Sequence, residues 1–114
     1  MDQTLQFLSR KGIAPEVDRP APDRLISGDP VITTWTHEDR DGLCCGIWQC
    51  TPGKWRVIYA EWEYCRILSG VSVLTEDGGA ARILRSGDSF IIRPGFRGTW
   101  EVLETTLKDY VIRL

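Results

Sequence analysis

The sequence predicts an all-β protein: a closed or nearly closed barrel or jelly roll, preceded by an extended arm over residues 1–30. Beyond Pro30, short apolar segments recur between turn signals at roughly the 8–12-residue spacing of sandwiches and barrels. Residues 87–100, GDSFIIRPGFRGTW, place two turns and two strand segments in fourteen residues, which only a closely wound β domain requires. No helical periodicity and no βαβ alternation competes after residue 30.

Residues 2–10 have room for one or two helical turns, with Leu5 and Leu8 at i, i+3, but nothing caps them and terminal segments fray. Residues 12–30 hold four of the six prolines (Pro15, Pro20, Pro22 and Pro30), which excludes a regular helix there. Such an arm lies either on its own barrel or on a neighbouring subunit. A strand laid on a neighbour's sheet covers an edge open to aggregation, so a homodimer is expected. The barrel occupies residues 31–114. Strands are predicted over 31–36, 43–50, 55–60, 63–68, 71–75, 81–84, 89–92, 98–103 and 107–112. Glu76-Asp77-Gly78-Gly79 reads as a hairpin turn because consecutive glycines accept positive φ.

Alternation sorts the strand faces. Trp55, Val57 and Tyr59 share one face; Lys54, Arg56 and Ile58 share the other. Carried into the next segment, the same parity holds for Tyr59, Glu61, Glu63 and Cys65, with a bulge able to reset the register between the two strands. Glu63 is thus a candidate inward carboxylate, against the competing reading of a solvated surface residue. His37, the sole histidine, sits in the polar run THEDRDG and reads as a solvated loop residue. Five tryptophans are many for 114 residues, and core packing is the first explanation for each.

Charged residues make up 26% of the chain and the net charge is -2, so there is no basic excess to suit a nucleic acid backbone. No apolar run approaches the roughly 18 residues of a membrane span, and residues 1–12 lack the pattern of a secretory signal. The cytoplasm is the expected location, with neither nucleic acid nor membrane as a partner. The four cysteines (Cys44, Cys45, Cys50, Cys65) contain no C-x-x-C spacing and are expected to be free thiols packed as small apolar residues. No G-x-x-x-x-G-K-[ST] run suggests a phosphate cradle.

Two spacings carry a family resemblance. Glu63 followed by six residues and Gly70 resembles the second half of the first cupin motif, G-x5-H-x-H-x3,4-E-x6-G. Gly87, five residues, a proline shifted by one and Gly95 resemble the opening of the second, G-x5-P-x-G-x2-H-x3-N. The segments RPAPDRLISGDP, GIWQCTPGKWRV, GDSFIIRPGFRGTWEV and LKDYVI are similar to small cupins grouped with the (S)-ureidoglycine aminohydrolase cupin domain. The resemblance implies a double-stranded β-helix, often dimeric, with its pocket in the barrel mouth. It departs from the metal-binding pattern where Val57 and Tyr59 (or Arg56 and Ile58), Gly98 and Val102 replace the metal-pattern residues. No cofactor is therefore expected, because a lone carboxylate holds no cation tightly. One route to a divalent metal stays open, through Glu63, Tyr59, Cys65 and a cysteine of residues 43–50.

Without metal, a carboxylate enclosed in an apolar barrel favours its neutral form unless a cation answers it. Glu63 is then the candidate acid or base. From the resemblance alone Lys108 is the cation that reaches the pocket, against the reading of an exposed strand lysine. Tyr59 would add a hydroxyl, Trp48 and Trp100 flat walls, and Cys65 a neighbouring thiol. Trp100 shares the side of Gly98, and Arg97 points outward. Three functions fit this sequence: an enzyme on a small nitrogenous or carboxylated metabolite, a non-catalytic ligand-binding or sensor barrel, and a structural dimer module.

Overall fold

A computed structural model of the chain describes residues 4–114. Alternating apolar and polar residues form nine strands, and no helix is found among the described residues. They are β1 (Glu16–Asp18), β2 (Leu25–Gly28), β3 (Ile32–Arg40), β4 (Leu43–Cys50), β5 (Gly53–Ile58), β6 (Trp62–Glu76), β7 (Ala81–Arg85), β8 (Ser89–Ile92) and β9 (Arg97–Arg113). Every pairing is antiparallel, in the order β1-β3-β4-β9-β5-β2, with β6 on the other side of β9 and β7 and β8 both alongside β6. The two long strands β6 and β9 form the spine of a curled sheet. Its concave side holds the core of Cys50, Trp55, Val57, Ile67, Leu74, Leu84, Ile92, Trp100 and Val102.

The predicted strands 63–68 and 71–75 are halves of β6, and 98–103 and 107–112 are halves of β9. Their pairing shifts register three times between Ile67 and Ser72, so the ribbon bends without breaking. Gly70 sits at this bend with φ +88, where a Cβ would lie 2.1 Å from the Thr105 carbonyl oxygen. The polar run at 36–40 also differs from expectation. It continues β3 and closes a tight hairpin at Asp41 (φ 53) and Gly42 (φ 77), the two positive-φ residues that match strand twist.

His37 is accordingly a half-buried strand residue rather than a solvated loop residue. It occupies the register shift between Thr36 and Glu38, and its ring nitrogens bond the Trp35 carbonyl and the Ser9 backbone. The arm lies on its own barrel: Glu16 pairs with Thr34 on β3, and Leu25 with Trp55 on β5. Of the helical turns considered at 2–10, Asp2 and Gln3 lie outside the described residues, and residues 4–10 form no helix. Also among the described residues, no helix is long and apolar enough to cross a membrane.

Opposite the His37 bulge, β4 approaches β3 so closely that only glycine fits at position 46. A Cβ on Gly46 would stand 2.1 Å from the Trp35 carbonyl oxygen. Gly46→Ala is therefore expected to destabilise the chain by about 3 kcal/mol or more, read as a lower urea midpoint. An unchanged midpoint would contradict this packing.

Candidate functional site

Antiparallel register lines up Cα partners in rows across a sheet, and the side chains of one row share a face. Three neighbouring rows build the concave face. The first runs Glu16, Thr34, Trp48, Lys108, Ile67; the second Thr36, Gly46, Tyr110, Cys65, Phe90; the third Asp39, Cys44, Ile112, Glu63, Ile92. The bulge at His37 makes the third row possible. Strict alternation would group Asp39 with Trp35 and His37, and the extra residue turns it to the side of Thr36 instead.

Lys108 reaches from its own row past the second to the third. Its Nζ donates to Glu63 Oε2 at 3.1 Å and to Cys65 Sγ at 3.4 Å, and the Cys65 thiol donates to the same Oε2 at 3.1 Å. Lys108 is 3% exposed and Glu63 7%. The ammonium also lies 4.5 Å from the ring centroids of both Trp48 and Trp100, so two aromatic faces share its charge. Trp100 is fixed by a directed chain of buried hydrogen bonds. Its Nε1 donates to Ser72 Oγ (3.2 Å), Ser72 to Thr106 Oγ1 (2.7 Å) and Thr106 to the Glu104 carbonyl (2.9 Å).

Burial opposes the charge on Lys108, but its interactions with the acidic groups around it, Cys65 and Glu63 foremost, outweigh burial and hold its pKa above the ordinary lysine range. Burial pushes the Cys65 thiol up to about 12, so near neutral pH the thiol is uncharged and Glu63 is the anion that answers the ammonium. Burial likewise raises the Tyr59 hydroxyl.

A cavity of about 480 Å³ opens beside this pair. Tyr59, Glu63, Lys108, Trp48 and Trp100 all line it. Cys65 does not: it is fully buried and touches Glu63 and Lys108 from behind. Glu61, which shares the predicted parity, is exposed because the chain leaves the sheet between β5 and β6. Arg97 is exposed, as its parity suggests. Sequence reasoning missed the polar residues Glu16, Thr36, Asp39 and Tyr110, which also line the wall. The Asp41-Gly42 dipeptide was a signal that could have extended β3 as far as Asp39.

The metal usual in this fold has no fit. At Gly98 even a Cβ would lie 2.0 Å from the Thr75 carbonyl oxygen, so no histidine can stand there, and Val57 is buried and apolar. The ammonium of Lys108 already touches Glu63, and a second cation there would be repelled. Among the described residues, no three His, Cys, Asp or Glu side chains converge as metal ligands, so the route through Cys65 and a β4 cysteine is not assembled. All four cysteines are free thiols.

A curled antiparallel barrel with the Glu63–Lys108 pair inside its mouth has the architecture of a cupin. The family model for the EutQ-like cupin domain matches residues 38–110, and the chain belongs to that family. No curated protein matches the chain. Among solved structures, it is similar to a protein of unknown function from Pseudomonas syringae pv. tomato (TM-score 0.78, 22% identity, 92% of this chain and 46% of that one). It is also similar to a putative ethanolamine utilization protein Q from Salmonella typhimurium (TM-score 0.66, 15% identity, 89% and 96%). An RmlC-like cupin from Shewanella frigidimarina is a third (TM-score 0.69, 13% identity, 99% and 94%). The chain thus spans about half the length of the Pseudomonas protein. These likenesses establish the double-stranded β-helix fold.

Lys108→Met would leave the Glu63 carboxylate buried without its cation, and is expected to cost about 3–5 kcal/mol in urea unfolding. The double variant Glu63→Gln/Lys108→Met should cost clearly less than the sum of the single changes; additive losses would contradict a coupled buried pair.

The raised groups also set a pH dependence. Cys50 and Cys65, ordinarily at 9.0, are pushed up to about 12 by burial, and Lys108 is raised above 10.5. The folded chain then keeps protons that the unfolded chain has already released. Their stabilisation is intact below those ordinary values and is lost as pH rises through the folded ones. Urea stability should fall from about pH 9 upward, by up to about 1.4 kcal/mol per pH unit for each thiol. A level midpoint between about pH 8 and pH 11 would contradict the burial of these groups.

Proposed function

We propose that the barrel mouth is a metal-free acid–base site acting on a small, polar, nitrogen-containing metabolite. One observation carries this reading. Glu63 spends only Oε2 on its partners, while Oε1 has no hydrogen bond among the described residues and Glu63 lines the cavity. A carboxylate oxygen of this kind, beside a fixed ammonium, is placed to accept a proton from a bound molecule. As Glu63 takes the proton, Lys108 loses its counterion. The negative charge developing on the substrate then takes over that role, so the transfer relocates an anion beside a stationary cation. The Tyr59 hydroxyl, also without a hydrogen-bond partner among the described residues, is available to orient the substrate.

Buried ion pairs stabilise a fold poorly compared with apolar side chains of similar volume, and perturbed titratable groups concentrate at functional clefts. A pair kept at such cost beside an open cavity supports function over packing. The structural-module reading requires Trp100 and Tyr59 to fill the barrel; Trp100 is buried in the core, yet a cavity remains beside both. A non-catalytic binding barrel is favoured by a different observation: acid and ammonium already satisfy one another in the free protein.

Ureidoglycine, from the resemblance to the aminohydrolase cupins, and ethanolamine, from the Salmonella relative's description, are the first candidates to follow by NMR. Turnover without added metal is expected, surviving chelator and falling by about 10²-fold or more in Glu63→Gln, assayed at a temperature where circular dichroism shows that less stable variant still folded. A compound that raises the melting temperature but is recovered unchanged would contradict catalysis and support the binding barrel.

A further inference from the structure

We infer that the cavity selects compounds bearing an amine at one end and an uncharged acceptor such as an amide or ureido group at the other, and that it rejects anions. The inference rests on the reading of this cavity as a small-molecule site. Among the described residues, Lys108 is the sole cationic side chain on its wall, and Glu63 already balances that charge. Two further carboxylates, Glu16 and Asp39, line the cavity, and neither has an ion-pair or hydrogen-bond partner among the described residues. An anionic ligand would meet two uncompensated negative charges with no spare cation. An amine would supply the missing positive charge.

The register gives the direction of binding. Glu16 lies three strands from Lys108 along the first row, and Asp39 lies three strands from Glu63 along the third. At about 4.8 Å per strand, both carboxylates stand roughly 14 Å along the curled sheet from the buried pair. They therefore mark the outer end of the cavity while Glu63 and Lys108 mark the inner one. One further feature agrees with this polarity. Deep in the cavity, Glu63, 7% exposed, leaves Oε1 unpartnered among the described residues and free to receive an N–H donor. Trp48, half-buried between Thr34 and Lys108, offers an aromatic surface along the path.

Two probes of equal length separate charge from shape: 5-aminopentanamide, with an ammonium end, and glutaric acid monoamide, with a carboxylate end. Titrated calorimetrically into the full chain near neutral pH and at low salt, the amine should bind about tenfold or more tightly than the acid. The double variant Glu16→Gln/Asp39→Asn alters two exposed side chains, so its melting temperature should be unchanged while the preference disappears. Equal binding of the two probes, or a preference that survives in the variant, would overturn the inference and leave the acid–base reading standing. Binding of neither up to about 10 mM would overturn it too, and turnover in Glu63→Gln then judges the acid–base reading separately.

Discussion

Placing an ammonium inside a protein costs several kcal/mol unless an anion and polarisable surfaces meet it, and the buried Glu63–Lys108 contact of 3.1 Å is the constraint on which this barrel depends. The two residues come from the two longest strands, so β6 and β9 must stay in register for them to meet. The tryptophans on either side of Nζ must also hold their planes. Trp48 does so by packing edge-on to Trp100 with centroids 5.4 Å apart, and Trp100 through its hydrogen-bond chain to Ser72 and Thr106. The buried polar network thus stabilises the floor of the site as well as the core.

A lysine differs chemically from the metal that the fold so often carries. It cannot exchange or accept a ligand lone pair into an open coordination position. It supplies one stationary positive charge and hydrogen-bond donors, and leaves proton transfer to its carboxylate partner. The close approach of Thr75 to Gly98 leaves no room for a ligand side chain there: backbone occupies the space it would need. With its inner charges balanced, the selectivity of the cavity shifts to the unpaired carboxylates at its mouth.

The strand texture after Pro30 and the glycine-rich run at 87–100 made the fold legible, because turns leave residue-level marks. Alternation pointed Glu63 inward, and resemblance alone brought Lys108 to it; no local pattern distinguishes a buried strand lysine from a solvent-facing one. Asp39 was hidden because a bulge reverses parity, and His37 carries no signal that it is the inserted residue. The arm was readable as extended, but its docking on β3 and β5 depends on pairings between residues about 20 to 30 positions apart that no short window contains. Cys65 shares the inward parity correctly, yet Lys108 and Glu63 lie between it and the cavity, an order of layers that periodicity does not encode.

The central claim is that a charged lysine, caged by two indole faces and one carboxylate, is the fixed cation of this site. NMR detection of the Lys108 side chain tests it most directly. The account predicts an ammonium that remains protonated beyond pH 10.5, with its terminal methylene protons shifted upfield by the ring currents of Trp48 and Trp100. A Lys108 that titrates as an ordinary exposed lysine, without ring-current shifts, would contradict it.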